Sequence, residues 1–233
     1  DMYAVVGAYY GGANEAFIYS RASGIWDTTA VLHIDGYKSV TYFGFSAAMT
    51  DNYIIIGAGG VLGAQKAYIF GRSQSTGEWS GTAVADLTSS TNGFGVKVAM
   101  TDTFAIVGTS TGIAFIFARN NASGMWSTHE VGTLYNPGAK VVDSRAVAIT
   151  GNWAMTAMRN LKTAWFFSNK CPPGQYLSVS NQCIMCQPGT YSQGGATGSC
   201  SLCELGKYTD IGGTRSCKTC PIGEYAQSMG STA

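Results

Sequence analysis

Residues 43–57 read FGFSAAMTDNYIIIG, and residues 94–108 read FGVKVAMTDTFAIVG. The two align from end to end: Phe-Gly, an apolar run ending in Ala-Met, a Thr-Asp step, then a second apolar run that closes on Gly. Residues 143–157, DSRAVAITGNWAMTA, follow the same pattern more loosely, and residues 1–7, DMYAVVG, match its second half. Asp1, Asp51, Asp102 and Gly151 thus stand 50, 51 and 49 residues apart. Another apolar run follows in each unit: AFIYS at 16–20, AYIF at 67–70, AFIF at 114–117 and AWFF at 164–167. Three units then close on Gly-x-Trp, at Gly24/Trp26, Gly77/Trp79 and Gly124/Trp126.

Each full unit offers four short β-rich runs separated by Gly, Asn, Asp and Ser turns. A four-stranded antiparallel sheet per repeat is a propeller blade. The Thr-Asp or Thr-Gly step after the first strand suits a tight hairpin. Runs that are apolar on both faces suit blades packed between neighbouring blades. Phe43-Gly44, Phe94-Gly95 and the Gly57-Ala58 step resemble FG-GAP repeats, the blades of integrin-α-type propellers. The resemblance spans residues 1–170, with Asp143-Ser144 in place of Phe-Gly in the last unit and the proline of the family name absent. Integrin-type blades often carry an acidic calcium loop, but Asp51 and Asp102 each stand beside uncharged neighbours. A hard cation needs six to eight oxygens, so no metal site is expected. The runs present predict two complete blades flanked by two partial ones. The first lacks its first strand, and the fourth lacks its last, because Cys171 follows AWFF. Upstream residues or another chain would complete them, since an unpaired edge invites strand addition.

Composition changes at Cys171. Residues 1–170 hold no cysteine and residues 171–233 hold all seven. Cys-x-x-Gly-x-Tyr occurs four times, at Cys171/Gly174/Tyr176, Cys186/Gly189/Tyr191, Cys203/Gly206/Tyr208 and Cys220/Gly223/Tyr225, while Cys183, Cys200 and Cys217 each sit three residues before the next motif. This second segment resembles the cysteine-rich modules of ephrin-receptor-like and tumour-necrosis-factor-receptor-like ectodomains, which have little apolar core and are held by bridges. The resemblance implies pairs Cys171–Cys183, Cys186–Cys200 and Cys203–Cys217, with the partner of Cys220 beyond Ala233. The glycines would allow the turn behind each cysteine, and the tyrosines would stack along a rod. The alternative is zinc at the Cys-x-x-Cys pairs; a redox role lacks the βαβ context it needs.

Only 12% of residues are charged and 45% are hydrophobic, with a net charge of +1. Nothing here favours nucleic acid or an anionic membrane, and no run is long and apolar enough for a spanning helix. The chain opens on Asp1 rather than Met, which reads as the limit of a segment. No phosphate loop, nucleophile elbow, zinc-protease or dinucleotide motif occurs. Gly57-Ala58-Gly59-Gly60 follows a strand but leads into another strand, so it reads as a hairpin turn. His33 and His129 each follow a blade tryptophan and read as edge-strand or turn residues. Trp26, Trp79 and Trp126 read as blade packing, with a carbohydrate-stacking surface as the alternative. Asn121-Ala122-Ser123 is an N-glycosylation sequon.

The expectation is an all-β, extracellular or cell-surface, non-enzymatic protein. A partial set of four propeller-type blades (1–170) leads into a disulfide-rich extended rod of short modules (171–233), with no cofactor. Its expected role is structural, as the building block of a secreted or cell-surface assembly, a filament being one form of it, with itself or other extracellular proteins as partners and a glycan as a further candidate. The alternative is a receptor-like or adhesion ectodomain that binds a protein or glycan through propeller loops.

Overall fold

The computed structural model describes residues 2–22, 24–35, 37, 39–60, 65–134, 144–151, 153–158, 163–168, 171–177, 183–194 and 199–232. Asp1 and Asp143, two positions of the repeat alignment, lie outside the described residues. The chain divides into two compact units, Asp1–Phe167 and Ser168–Ala233. Apart from a 3-10 turn at Tyr10–Gly12, the regular structure of the described residues is entirely strand. Among those residues no helix is long and apolar enough to cross a membrane.

The first unit holds four antiparallel sheets in chain order. The first has β1 (Met2–Ala8), β2 (Glu15–Ala22), β3 (Ile25–Trp26) and β4 (Leu32–Ile34). β3 and β4 both pair with β2, at Arg21–Ala22 and at Ala16–Ile18, so they form one broken outer strand and the sheet has three strand positions. The second sheet runs β5 (Ser46–Met49), β6 (Tyr53–Ala58), β7 (Lys66–Arg72), β8 (Trp79–Thr88). The third, in order from edge to edge, is β9 (Lys97–Met100), β10 (Phe104–Gly108), β11 (Ala114–Ala118) and β12 (Gly132–Leu134). The fourth has three strands, β13 (Ser144–Ile149), β14 (Trp153–Met158) and β15 (Thr163–Ser168). These are propeller-like blades, two complete and two partial. Among the described residues the first sheet shows the second to fourth strand positions and the fourth sheet the first to third.

The Thr step forms the same hairpin three times. The amide of Thr50 donates to the carbonyl of Tyr53, that of Thr101 to Phe104 and that of Thr150 to Trp153, at 2.8, 2.7 and 2.7 Å. In each, the threonine Oγ1 accepts the amide hydrogen of the third residue on, Tyr53, Phe104 or Trp153. A hydroxyl that caps its own turn explains why threonine recurs there.

The core lies between blades. β1 lies against β5, β5 against β9, and β9 against β13. Ile54, Ile56, Tyr68 and Phe70 pack toward the first blade with Ile18, Ile34 and Phe43, whereas Ile55, Ala67 and Ile69 pack toward the third with Phe94, Val98 and Phe117. A strand used on both faces must be apolar at every position, which is why YIIIG and AYIF do not alternate. Full burial of each such side chain stabilises by about 1.5–3 kcal/mol. A thinner cluster, Ile106, Ala114, Leu134 and Ala154, joins the third blade to the fourth.

The second unit is a ladder of two-stranded pieces: β16 (Gln175–Leu177) with β17 (Cys183–Met185), β18 (Thr190–Tyr191) with β19 (Ser201–Leu202), and β20 (Lys207–Tyr208) with β21 (Lys218–Thr219). Disulfides join Cys171–Cys183, Cys186–Cys200 and Cys203–Cys217, with Cα separations of 5.4, 5.8 and 5.7 Å. The backbone repeats in step. The amides of Gly174, Gly189 and Gly206 donate to the carbonyls of Ser192, Thr209 and Ala226, one module on. Those of Cys186, Cys203 and Cys220 donate back to Gly174, Gly189 and Gly206. Gly174, Gly189, Gly206 and Gly223 all have φ between +73° and +95°, a region that excludes most side chains.

Candidate assembly surface

The seams between blades are built from two repeated devices. The first is the Phe-Gly step. Phe43 and Phe94 are fully buried, and Gly44 and Gly95 have φ of +86° and +92°. The glycine carbonyl of one blade then presses on the glycine that ends the second strand position of the blade before it. A Cβ placed on Gly7 would lie 2.1 Å from Gly44 O, and one on Gly57 would lie 2.0 Å from Gly95 O. The repeated Phe-Gly and Gly-Ala steps are thus two sides of one backbone-on-backbone contact. Gly57-Ala58-Gly59-Gly60 is accordingly more than the hairpin turn its sequence suggests. Gly57 and Ala58 are strand residues, and a Cβ on Gly59 would lie 2.1 Å from Val96 N of the next blade.

The second device joins an arginine and a tryptophan of one blade to an aromatic ring of the blade before. Arg72 pairs across the sheet with Trp79, and Arg119 bridges to Trp126. Each arginine Nε donates to a glycine carbonyl in the intervening turn, Gly77 at 2.6 Å and Gly124 at 3.0 Å. The Arg72 guanidinium sits 4.7 Å from the Tyr3 ring centroid and donates from Nη2 to Tyr3 Oη at 2.8 Å. Arg119 sits 5.3 Å from the Tyr53 ring. Trp79 meets Tyr3 edge-on at 5.5 Å, and Trp126 meets Tyr53 edge-on at 5.4 Å. Cation–π and edge-to-face geometry each add about 0.5–1.5 kcal/mol beyond area burial. Periodic Gly-x-Trp is legible in the sequence, and Arg21, Arg72 and Arg119 recur five residues after Ala16, Ala67 and Ala114; what no single repeat shows is that the arginine and the tyrosine of the clamp come from neighbouring blades.

Trp79 and Trp126 are therefore packing residues, as expected, whereas Trp26 stands exposed. Asp102 ties the hairpins of the second and third blades together. Thr50 Oγ1 and Asn52 Nδ2 of the second blade both donate to its carboxylate, at 2.5 and 2.8 Å, tying two hairpins together. Among the described residues no group of three or more His, Cys, Asp or Glu side chains is placed to hold a metal ion. His33 lies on β4 with Nε2 3.2 Å from Glu15 Oε2 and its ring stacked on Phe17, and His129 lies exposed in the turn before β12. His129 Nδ1 lies 3.4 Å from Thr128 Oγ1 in that exposed turn.

Between the first two blades Tyr37, Phe43, Tyr68 and Phe70 form an aromatic cluster, with Tyr37 and Phe43 stacked at 4.7 Å. Burial pushes the Tyr68 hydroxyl up to about 12, helped by the charge of Asp86. Burial also raises Tyr37, although its oxygen accepts the Ala83 amide hydrogen, which opposes the rise.

In the second unit the bridged sulfurs are unavailable to zinc. Cys171, Cys186 and Cys203 are buried, and Cys220 is half-buried as a free thiol. The tyrosines do not stack on one another: no ring contact joins them among the described residues, and Tyr225 is 73% exposed. Hydrogen-bonded backbone and bridges take the place of that apolar column. Asn121 is exposed in the turn at 121–123, where Asn120 Oδ1 accepts the amide hydrogens of Ala122 and Ser123.

Residues 189–233 match the family described as tyrosine-protein kinase ephrin type A/B receptor-like, a match confined to the cysteine-rich unit. Among solved structures, Saccharomyces cerevisiae Sqt1 is similar over 69% of this chain and 37% of its own, at 10% identity and a TM-score of 0.41. The WD40 repeats of RRP9 are similar over 70% of this chain and 46% of theirs, at 11% identity and a TM-score of 0.39. The chain thus spans less than half the length of either. No curated protein matches it.

Proposed function

We propose that this chain is an extracellular structural protein, a building block of a cell-surface or secreted assembly. The observation that carries this is the cysteine-rich unit, where bridges join Cys171–Cys183, Cys186–Cys200 and Cys203–Cys217 in a segment that matches the ephrin-receptor-like family over residues 189–233. Blades that join through buried apolar faces, in a chain only 12% charged, favour packing against further protein. Three disulfides in a receptor-like module support an oxidising, extracellular setting. In this account the blades are of the FG-GAP kind, Asn121 carries an N-linked glycan, and the chain acts without catalysis or a cofactor. Electron microscopy of the purified protein tests it: chains or larger particles are expected, and isolated single copies in every preparation would count against it. The second reading, a receptor-like or adhesion ectodomain, is favoured by the ephrin-receptor-like match. A ligand captured by the blade loops of a strictly monomeric chain would promote that reading over assembly.

A further inference from the structure

The seam between the first two blades carries rings where the seam between the second and third does not. Ala58 of the second blade is followed by Gly59-Gly60, whereas Ala8 of the first is followed by Tyr9-Tyr10. The residue before the buried phenylalanine is Gly93 in the third blade and Tyr42 in the second, and the Phe-Gly step leads into Val96 in one and Phe45 in the other. The second seam forms without these rings, so the blade contact does not need them. At the first seam they meet. Tyr9 lies 4.7 Å from Phe45 and 6.2 Å from Tyr42, centroid to centroid, and Tyr10 meets Tyr9 edge-on at 6.3 Å. Tyr42 is held there at φ +65°, a left-handed conformation that suits Gly93 at +71° and disfavours a tyrosine. Its amide donates to Asn14 Oδ1 at 3.0 Å, and its ring lies on Gly60, where a Cβ would come within 2.9 Å of Tyr42 Cδ2. A ring held at a backbone cost, where a sister repeat uses glycine, points to a site rather than to packing.

The cluster has the chemistry of a sugar site. Tyr9 is 37% exposed, and Tyr42 and Phe45 beside it are half-buried. Among the described residues the hydroxyls of Tyr9 and Tyr42 make no hydrogen bond. Lys97 of the third blade reaches across, with its ammonium 5.8 Å from the Phe45 ring centroid, and makes no ion pair among the described residues. Aromatic rings bury the C–H face of a pyranose, and a phenol's polar handle exchanges hydrogen bonds with sugar hydroxyls. An aliphatic partner would instead desolvate those hydroxyls and the ammonium without replacing their bonds. A cationic ligand is disfavoured, because the ring cluster already holds a cation. One lysine, in a chain of net charge +1, matches a single carboxylate rather than the dense charge of a sulfated polymer. We propose that Tyr9, Tyr42, Phe45 and Lys97 bind a carboxylate-bearing sugar of a glycan. The proposal rests on the ectodomain reading, to which it gives a place and a ligand class, and it does not require copies of the chain to join.

The test is isothermal titration of the purified full chain, bridges intact. The probes are sialyllactose and a glucuronate-containing tetrasaccharide, with neutral lactose beside them and a proline-rich peptide as the other ligand that aromatic surfaces take. Wild type is expected to bind an acidic probe at least tenfold more tightly than lactose and to leave the peptide unbound; which acidic probe it prefers identifies the sugar. Tyr9→Ala and Tyr42→Gly are each expected to weaken that binding at least tenfold. Glycine suits the backbone at position 42, so a melt of Tyr42→Gly close to that of wild type separates lost binding from lost fold. Lys97→Gln is expected to bind the acidic probe no more tightly than lactose, a loss of discrimination that general damage to the blades would not produce. Variants that bind like wild type, or a Lys97→Gln chain that keeps its preference for the acid, would overturn the site. A wild type that binds neither acidic sugar would overturn the proposal; if it takes the peptide instead, the ectodomain reading still stands.

Discussion

Passing from one repeat to the next is a different event in the two units. Between the second and third blades it is made by buried side chains: Phe94 and Phe117 under Ile55 and Ile69, Trp126 and Arg119 on Tyr53. Between modules of the cysteine-rich unit it is made by backbone, Gly189 to Thr209 and Gly206 to Ala226, with a disulfide fixing each loop. A repeat of about 50 residues has enough chain to bury two apolar faces, whereas one of about 17 does not, and small modules substitute covalent staples for a core. The lesson is that the blade unit joins its repeats by specific side chains, and the cysteine-rich unit by backbone and covalent staples.

The comparison predicts a hierarchy of effects. The largest is reduction. Each bridge closes a loop with a sequence separation of 12 or 14, worth about 3 kcal/mol, so reductant should unfold the cysteine-rich unit outright and leave the cysteine-free blades folded. Loss of both units together in a calorimetric scan would break the distinction. Next is Gly95→Ala. At φ +92°, with a Cβ 2.4 Å from Lys66 O, it is strained and blocked at once. The backbone conformation alone costs about 1–3 kcal/mol, and the overlap adds to it. Denaturant melts of the blade unit should show the loss, and an unchanged midpoint would refute the seam contact.

Alkaline pH comes third. The folded Tyr68 hydroxyl titrates near 12 against about 10 when unfolded. The neutral form is favoured by folding, so its stabilisation is complete below pH 10 and is lost as pH rises from 10 to 12. Blade stability should fall by about 1–3 kcal/mol over that window, and Tyr68→Phe should flatten the fall. Smaller again is Tyr53→Leu, which keeps apolar bulk but removes the ring that Trp126 and Arg119 contact. The expected loss is about 0.5–2 kcal/mol. The smallest effect is that of a calcium chelator, which should leave the blade transition in place.

Much of this was written in the sequence because repeats print the same physics several times. Thr50, Thr101 and Thr150 cap the same turn, and Gly174, Gly189, Gly206 and Gly223 bend the chain the same way. The two four-stranded inner blades could be counted from their runs. What the sequence hid are contacts between residues of different repeats whose partners vary in kind. Asp102 receives Thr50 and Asn52 from the neighbouring hairpin, and Tyr3 receives Arg72 and Trp79 from the next blade. No single repeat contains both sides of such a contact. The tyrosine column failed for a related reason: regular spacing fixes where a ring starts, while the backbone ladder decides what it meets.

The central proposal is that this chain is a building block that joins further copies of itself. The direct measurement is the mass of the intact, oxidised chain in solution as its concentration is raised. A mass that climbs from 24.4 kDa in whole steps is the predicted result. A mass that stays at 24.4 kDa throughout would contradict it.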